Sequence, residues 1–234
     1  MRILKVVSAL LCYPQPELIA ALPELTEAIA AERALPRRER EALLALVDRL
    51  ERSELLTLQE QYVALFDRGR ALSLHLFEHV HGESRERGAA MVELLELYRR
   101  AGFELAAREL PDYLPLLLEF LSQRPAAEAR ALLGDAGETL ALLGARLAER
   151  GSDYHVLFDA LGAIAGAPAT LAAIRAQAAS EGPDPAIVDM DKLWEEEAVT
   201  FLAPQQGGGC PSTGAGRAAQ PLQRMPRPAP NTPH

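Results

Sequence analysis

The sequence predicts an all-α fold, and three observations carry that prediction. Ala, Leu, Glu and Arg, all strong helix formers, recur along the whole chain of 234 residues, and β-branched runs are scarce. Apolar residues recur at the three-and-four spacing of one helical face. Pro and Gly fall between those periodic stretches, where helices stop. Hydrophobic residues make up 49% of the chain and aromatics only 5%, a composition that suits one soluble core packed mainly with aliphatic side chains.

Taken in order, Ile3, Leu4, Val7, Leu10 and Leu11 mark a first helix that Pro14 and Pro16 break. The segment Glu17 to Ala31 gives a second. Pro36 opens a third, reaching about Arg52, with Leu43, Leu44, Val47 and Leu50 as its apolar stripe. A fourth runs from about Glu54 to Phe66 and sets Tyr62 and Phe66 one turn apart, either as core or as the lining of a groove. After a loop from Asp67 to Ser73 comes a histidine-rich segment that Gly82 interrupts. Gly88 to Arg100 reads as amphipathic, with Met91, Leu94, Leu95 and Tyr98 expected inside. In ELPDYLP, Asp112 is placed to cap a helix whose first turn accepts Pro115 and which continues to about Gln123. That helix is almost wholly apolar apart from Glu119, so it is expected at the centre of the fold. Helices near 126–133, 136–150 and 153–165 follow, punctuated by Gly134, Gly151 and Gly166, then one from about Pro168 to Ser180. Asp189 to Thr200, with Trp194, is a short helix or a linear segment. From Pro204 onward the chain is rich in Gly, Pro and Gln and cannot bury enough apolar surface to offset its ordering entropy, so a disordered tail over 204–234 is expected behind a single domain over 1–203.

Charge narrows the function classes. The chain carries −9; the tail holds Arg217, Arg224 and Arg227 and no acid, so the rest has 21 basic against 33 acidic residues, a net of −12. An acidic body lacks the basic footprint that a phosphate backbone requires. A basic or amphipathic peptide is a better match, unless the acidity serves solubility alone. Cys12 and Cys210 are too few and too far apart for a disulfide framework or a cysteine zinc site, which fits a reducing cytoplasm. The apolar run Val6 to Leu11 is too short for a signal core, and no stretch approaches the ~20 residues of a membrane span.

The chemistry-bearing side chains gather between Leu58 and Leu121. His75-Leu76-Phe77-Glu78-His79 fits H-x-x-E-H, in which two histidines on one helical face hold zinc and the glutamate activates water. That makes a zinc-dependent peptidase the enzymatic alternative, although five residues are a weak signature and a third ligand is not identifiable. The competing reading is a peptide-binding cleft. Helix-in-groove recognition needs apolar anchors and a charged rim. Tyr62, Phe66, Leu76, Phe77, Tyr113 and Leu117 supply candidate walls, which read equally well one by one as core. Glu78, Glu109 and Asp112 are candidates to receive a basic peptide end. His75, His79 and His81 are either hydrogen-bonding groups of the groove or structural caps. Arg85 and Arg87 either pair with Glu83 and Glu86 or are solvated.

A longer pattern favours the cleft. SLHLFEHVHGESRERGAAMVELLELY followed by ELPDYLPLLLEFL, with Tyr62 to Asp67 before it, Leu10-Leu11-Cys12-Tyr13-Pro14 near the start and Trp194 to Phe201 near the end, resembles the nitrate reductase molybdenum cofactor assembly chaperones, the NarJ group of the TorD-like family. The similarity spans roughly residues 4 to 201. It implies an all-α, TorD-like helical bundle that is not an enzyme. In the cytoplasm such a protein would bind the unfinished catalytic (alpha) subunit of respiratory nitrate reductase, chiefly at its N-terminal peptide, without stable membrane association. It would keep that subunit competent for insertion of bis-molybdopterin guanine dinucleotide and delay membrane docking, holding no cofactor permanently itself. Contact with cofactor-delivery proteins stays open. The wider family's E-x-P-D-H motif falls on Glu109, Pro111, Asp112 and Tyr113, with tyrosine where that motif has histidine. On this reading the site comprises Tyr62, Phe66, His75, Phe77, Glu78, His79, Arg85, Arg87, Glu109, Pro111, Asp112, Tyr113 and Leu117.

Overall fold

In a computed structural model, which describes residues 1–82, 84–105 and 109–182, the periodic stretches become eleven α-helices. They are α1 (Arg2–Leu10), α2 (Pro16–Ala31), α3 (Arg37–Arg52), α4 (Leu55–Tyr62), α5 (Leu76–His81), α6 (Glu86–Arg100), α7 (Leu114–Ser122), α8 (Ala126–Asp135), α9 (Gly137–Glu149), α10 (His155–Ala165) and α11 (Leu171–Ser180). The end of α4 widens into a π turn, Val63–Asp67, closed by a bond from the Arg68 N–H to the Val63 carbonyl at 3.2 Å. No strand occurs among the described residues; an isolated antiparallel bridge joins His75 to Tyr113. By contact the chain divides into Met1–Trp194 and Glu195–His234. The second unit, the expected tail and the Trp194 segment all lie outside the described residues.

The apolar α7 is central, as its composition requires. Leu114, Pro115, Leu117, Leu118, Phe120 and Leu121 are buried, while Glu119 faces solvent. It packs along α1, whose Ile3, Leu4, Val7 and Leu10 are equally enclosed. Each fully buried side chain of this size contributes roughly 1.5–3 kcal/mol. In the α1–α7 seam the buried Ser8 hydroxyl is satisfied by donating to the Pro115 carbonyl at 2.6 Å. On the other side, α9 lies against both α10 and α11, and α10 reaches back to α3. Gly144 of α9 allows its close approach to α10, because a Cβ there would stand 2.8 Å from the Phe158 Cβ.

Three local expectations are corrected. Gly134 does not stop a helix: α8 runs through it to Asp135, since a glycine with helical neighbours costs only ~1 kcal/mol and tertiary packing outweighs that. The amphipathic α6 starts at Glu86, and of its expected core residues only Tyr98 is buried. Met91, Leu94 and Leu95 are half-buried, and Tyr98 anchors the C-terminal half of α6. There the Tyr98 hydroxyl donates to the Pro111 carbonyl at 2.8 Å and its ring meets Phe120 at 4.7 Å. Asp112, expected to cap α7, turns away from it and serves α5 instead.

Candidate functional site

The site is a joint between two segments distant in sequence, 72–77 and 110–114. Backbone bonds from the Leu114 N–H to the Leu74 carbonyl (2.8 Å) and from the Leu76 N–H to the Asp112 carbonyl (3.1 Å) clamp them together. Asp112 is wholly enclosed, with 0% of its surface exposed. One carboxylate oxygen accepts the Phe77 N–H at 3.1 Å, capping the first turn of α5, and the other meets His75 Nδ1 at 3.2 Å. A buried charge needs such partners. The Asp112 carboxylate in turn pushes the His75 pKa above the ordinary histidine value, even though burial opposes the shift.

His79 is treated in the opposite way. Its Nε2–H donates to the Ser73 carbonyl at 2.8 Å, and burial lowers its pKa, so this ring is held neutral. The Ser73 hydroxyl accepts the His75 N–H at 3.2 Å. Glu78 pairs with Arg87 at 3.2 Å, with both side chains about a quarter exposed. Arg87 therefore reaches back to α5. Glu83 lies outside the described residues, and Arg85 is exposed. His81 sits with its ring 5.5 Å from that of Phe77 and its Nδ1 3.9 Å from Glu86.

An aromatic line runs from the surface into the core beside this joint. Tyr13, 37% exposed, meets Tyr62 at 5.5 Å, Tyr62 meets Phe66 at 4.9 Å, and Phe66 meets Tyr154 at 5.4 Å. The Tyr62 hydroxyl donates to the Leu11 carbonyl at 2.9 Å and lies 3.4 Å from the Tyr113 hydroxyl. Burial raises the pKa of both phenols, that of Tyr113 to about 12, so neither ionises near neutral pH. The Tyr113 ring stacks at a tilt on His75, 5.3 Å away. Phe66, Asp67, Arg68, Ser73 and Glu78 border a recess of about 500 Å³ next to the π turn.

The sequence-derived site residues thus divide by depth. Tyr62, Phe66, Leu117, Pro111 and Asp112 are buried. Their side chains form the back of the site, and the Asp112 carboxylate spends its oxygens on His75 and Phe77 rather than facing outward. His75, Phe77, Glu78, His79, Arg87 and Tyr113 are partly exposed around the joint, and Glu109 and Leu110 are exposed at its edge. Sequence reasoning missed two contributors. Tyr13 continues the aromatic line outward, and its place beside Pro14 was the available signal. Arg146 of α9 donates to the Ala71 carbonyl at 2.9 Å from 75 residues away, which no local pattern marks.

The zinc alternative required His75 and His79 on successive turns of one helix. His75 instead precedes α5 in an extended conformation (φ −87°, ψ 103°), its Nδ1 turned to Asp112, while the Nε2 of His79 is bound to a carbonyl. Among the described residues no group of three or more His, Cys, Asp or Glu is arranged to hold a metal ion. No helix among them is long and apolar enough to cross a membrane.

Residues 19–160 match the family described as nitrate reductase delta subunit. The chain is 48% identical over 200 residues to the nitrate reductase molybdenum cofactor assembly chaperone NarJ of Escherichia coli (strain K12), covering 86% of this chain and 85% of that protein. It is 44% identical over 202 residues to the probable chaperone NarW of the same strain, and 35% identical over 158 residues to the probable chaperone NarJ of Bacillus subtilis (strain 168). The first of these alignments covers 86% of this chain and 84% of its relative, the second 66% and 85%. All three are described as nitrate reductase molybdenum cofactor assembly chaperones, the last two as probable ones.

Proposed function

Because the chain belongs to the nitrate reductase delta subunit family, we propose that it is an assembly chaperone for a nitrate reductase, acting on the catalytic subunit before the molybdenum cofactor is in place. The N-terminal peptide of that apo subunit is the segment it captures, at the joint between 72–77 and 110–114. Residues 1–203 form the chaperone domain, and 204–234 are a tail the capture does not need. The cofactor, bis-molybdopterin guanine dinucleotide, belongs to the client; the chaperone keeps the client open to it and holds none permanently. The work is done in the cytoplasm and ends before the client docks at the membrane.

The observation that carries this reading is the contrast between a rigid back and an accessible front. Asp112, His75 and the two backbone bonds fix the joint, so little ordering entropy remains to be lost there on binding. In front of it lie the half-exposed rings of Phe77 and Tyr113, the exposed Leu110 and Tyr13, and the carboxylates of Glu78 and Glu109. An amphipathic peptide places apolar side chains against such rings and its basic groups at the acidic rim. The carboxylates steer encounter, and the aromatic contacts set residence time.

Isothermal titration with a synthetic peptide carrying the N-terminal sequence of the cognate catalytic subunit tests this. Binding of about micromolar strength or tighter is expected, with a negative heat-capacity change from apolar burial. A folded protein that gives no heat at about a few hundred micromolar peptide refutes the capture mechanism.

A further inference from the structure

Past Asp67, which closes the π turn, the loop 67–73 has no regular structure of its own, yet it borders both the recess beside Phe66 and the histidine joint. Two carbonyls of this loop are gripped from neighbouring helices. Ser73 O accepts the His79 Nε2–H from α5, and Ala71 O accepts an Nη1–H of Arg146 from α9, at 2.9 Å. The Arg146 side chain is only 16% exposed, and the rest of its guanidinium forks onto Glu181, at 2.6 Å and 2.7 Å, just past the end of α11. Gln177 of α11 supports that carboxylate at 3.2 Å, and the arginine holds the Glu181 pKa below the ordinary carboxylate value. A planar fork can satisfy a carboxylate and a carbonyl together, which a lysine ammonium does less well.

We propose that Arg146 is a positioning residue for the peptide site: through the Ala71 carbonyl it holds loop 67–73 in the shape that receives the client, and through Glu181 it ties that shape to the end of α11. This rests on the capture reading above. Arg146 touches no peptide. It acts through the loop, whose Ser73 N–H bonds to Arg70 O and whose Ser73 hydroxyl orients the His75 backbone. The far end of α11 is therefore energetically linked to the joint, and a partner that pulled Glu181 away would act on Arg146 and not on the peptide contacts directly.

Hydrogen exchange on the free protein and peptide titration, performed on Arg146→Ala, Arg146→Lys and Glu181→Gln, test the proposal. Arg146→Ala is expected to speed exchange of the Ser73, His75 and Glu181 amides selectively and to weaken peptide binding roughly tenfold, the equivalent of one charge-assisted hydrogen bond. Arg146→Lys is expected to restore part of both effects. Glu181→Gln keeps the bond to Ala71 but removes the charge that anchors the other side of the guanidinium, so it should speed the residue-181 amide and, to a smaller extent than Arg146→Ala, the Ser73 and His75 amides, with peptide affinity weakened about two- to threefold; loop amides unchanged by it would overturn the tie to α11. If Arg146→Ala leaves the loop amides and affinity unchanged, or accelerates exchange evenly across α9 and α10, Arg146 is an ordinary packing residue and the proposal fails. Exchange is read without peptide. A wild-type protein that binds no peptide thus sinks the capture reading, while the loop amides still decide whether Arg146 holds the loop.

Discussion

Replacing Asp112 removes the one fully buried carboxylate at the joint, and its cost follows from what that group holds. In Asp112→Ala the partly buried Phe77 N–H loses its acceptor, which costs about 1–3 kcal/mol, and the charge-assisted bond to His75 Nδ1 is lost, worth about 1.5–3 kcal/mol. Part of this is offset because a desolvated charge is also removed. The net destabilisation is about 3 kcal/mol, or a fall in Tm of roughly 6–12 °C for a domain of this size. Asp112→Asn separates the two contributions, since the amide oxygen still accepts the Phe77 N–H but no longer favours protonated His75. The His75 pKa is raised in the folded protein, so the stabilisation from its protonated form is full below the unfolded value of about 6.5 and is lost as pH rises through the folded pKa. The stability gap between wild type and Asp112→Asn should therefore be widest at mildly acid pH and shrink towards alkaline pH. His79, whose pKa is lowered, contributes the opposite slope, largely common to both proteins. Urea denaturation followed by far-ultraviolet circular dichroism across this pH range measures the gap. A cost below about 1 kcal/mol for Asp112→Ala, or a gap for Asp112→Asn that does not change with pH, would refute the reasoning.

Gly144→Ala should lower stability by about 1–3 kcal/mol, read as Tm, because the new methyl group would meet the Phe158 Cβ at 2.8 Å; an unchanged Tm would mean that α9 and α10 part easily. Glu109→Lys reverses an exposed rim charge, and it should slow peptide association several-fold at low salt with little change in dissociation, an effect that added salt erases in stopped-flow measurements. A protein ending at residue 203 should keep the Tm and peptide affinity of the full chain; a Tm lower by more than about 5 °C would make the tail part of the folded unit.

The helices were legible because their signals are local. Apolar spacing along α1, α3 and α7, and the prolines at 14 and 16, lie within a turn or two of what they control. Gly134 misled because a single glycine weighs less than the tertiary contacts around it. In the site, the identity of the segments was readable and their wiring was not. Asp112 carries the sequence mark of a cap, and it does cap a helix, but one whose first turn lies 35 residues earlier. The spacing of Tyr62 and Phe66 suits core as well as groove, and Tyr154, far along the chain, closes the aromatic line behind them. Arg146 carries no local signal of its role, because its acceptors lie 75 residues before it and 35 after. Contacts that close at long range leave no periodic trace in sequence.

A chaperone that keeps its client open to the cofactor leaves its mark in the client's metal content. Nitrate reductase purified from cells lacking this chain should contain the catalytic subunit with little molybdenum, and full loading should return when the chain is supplied. Equal molybdenum content with and without the chain would mean that the client matures without its help.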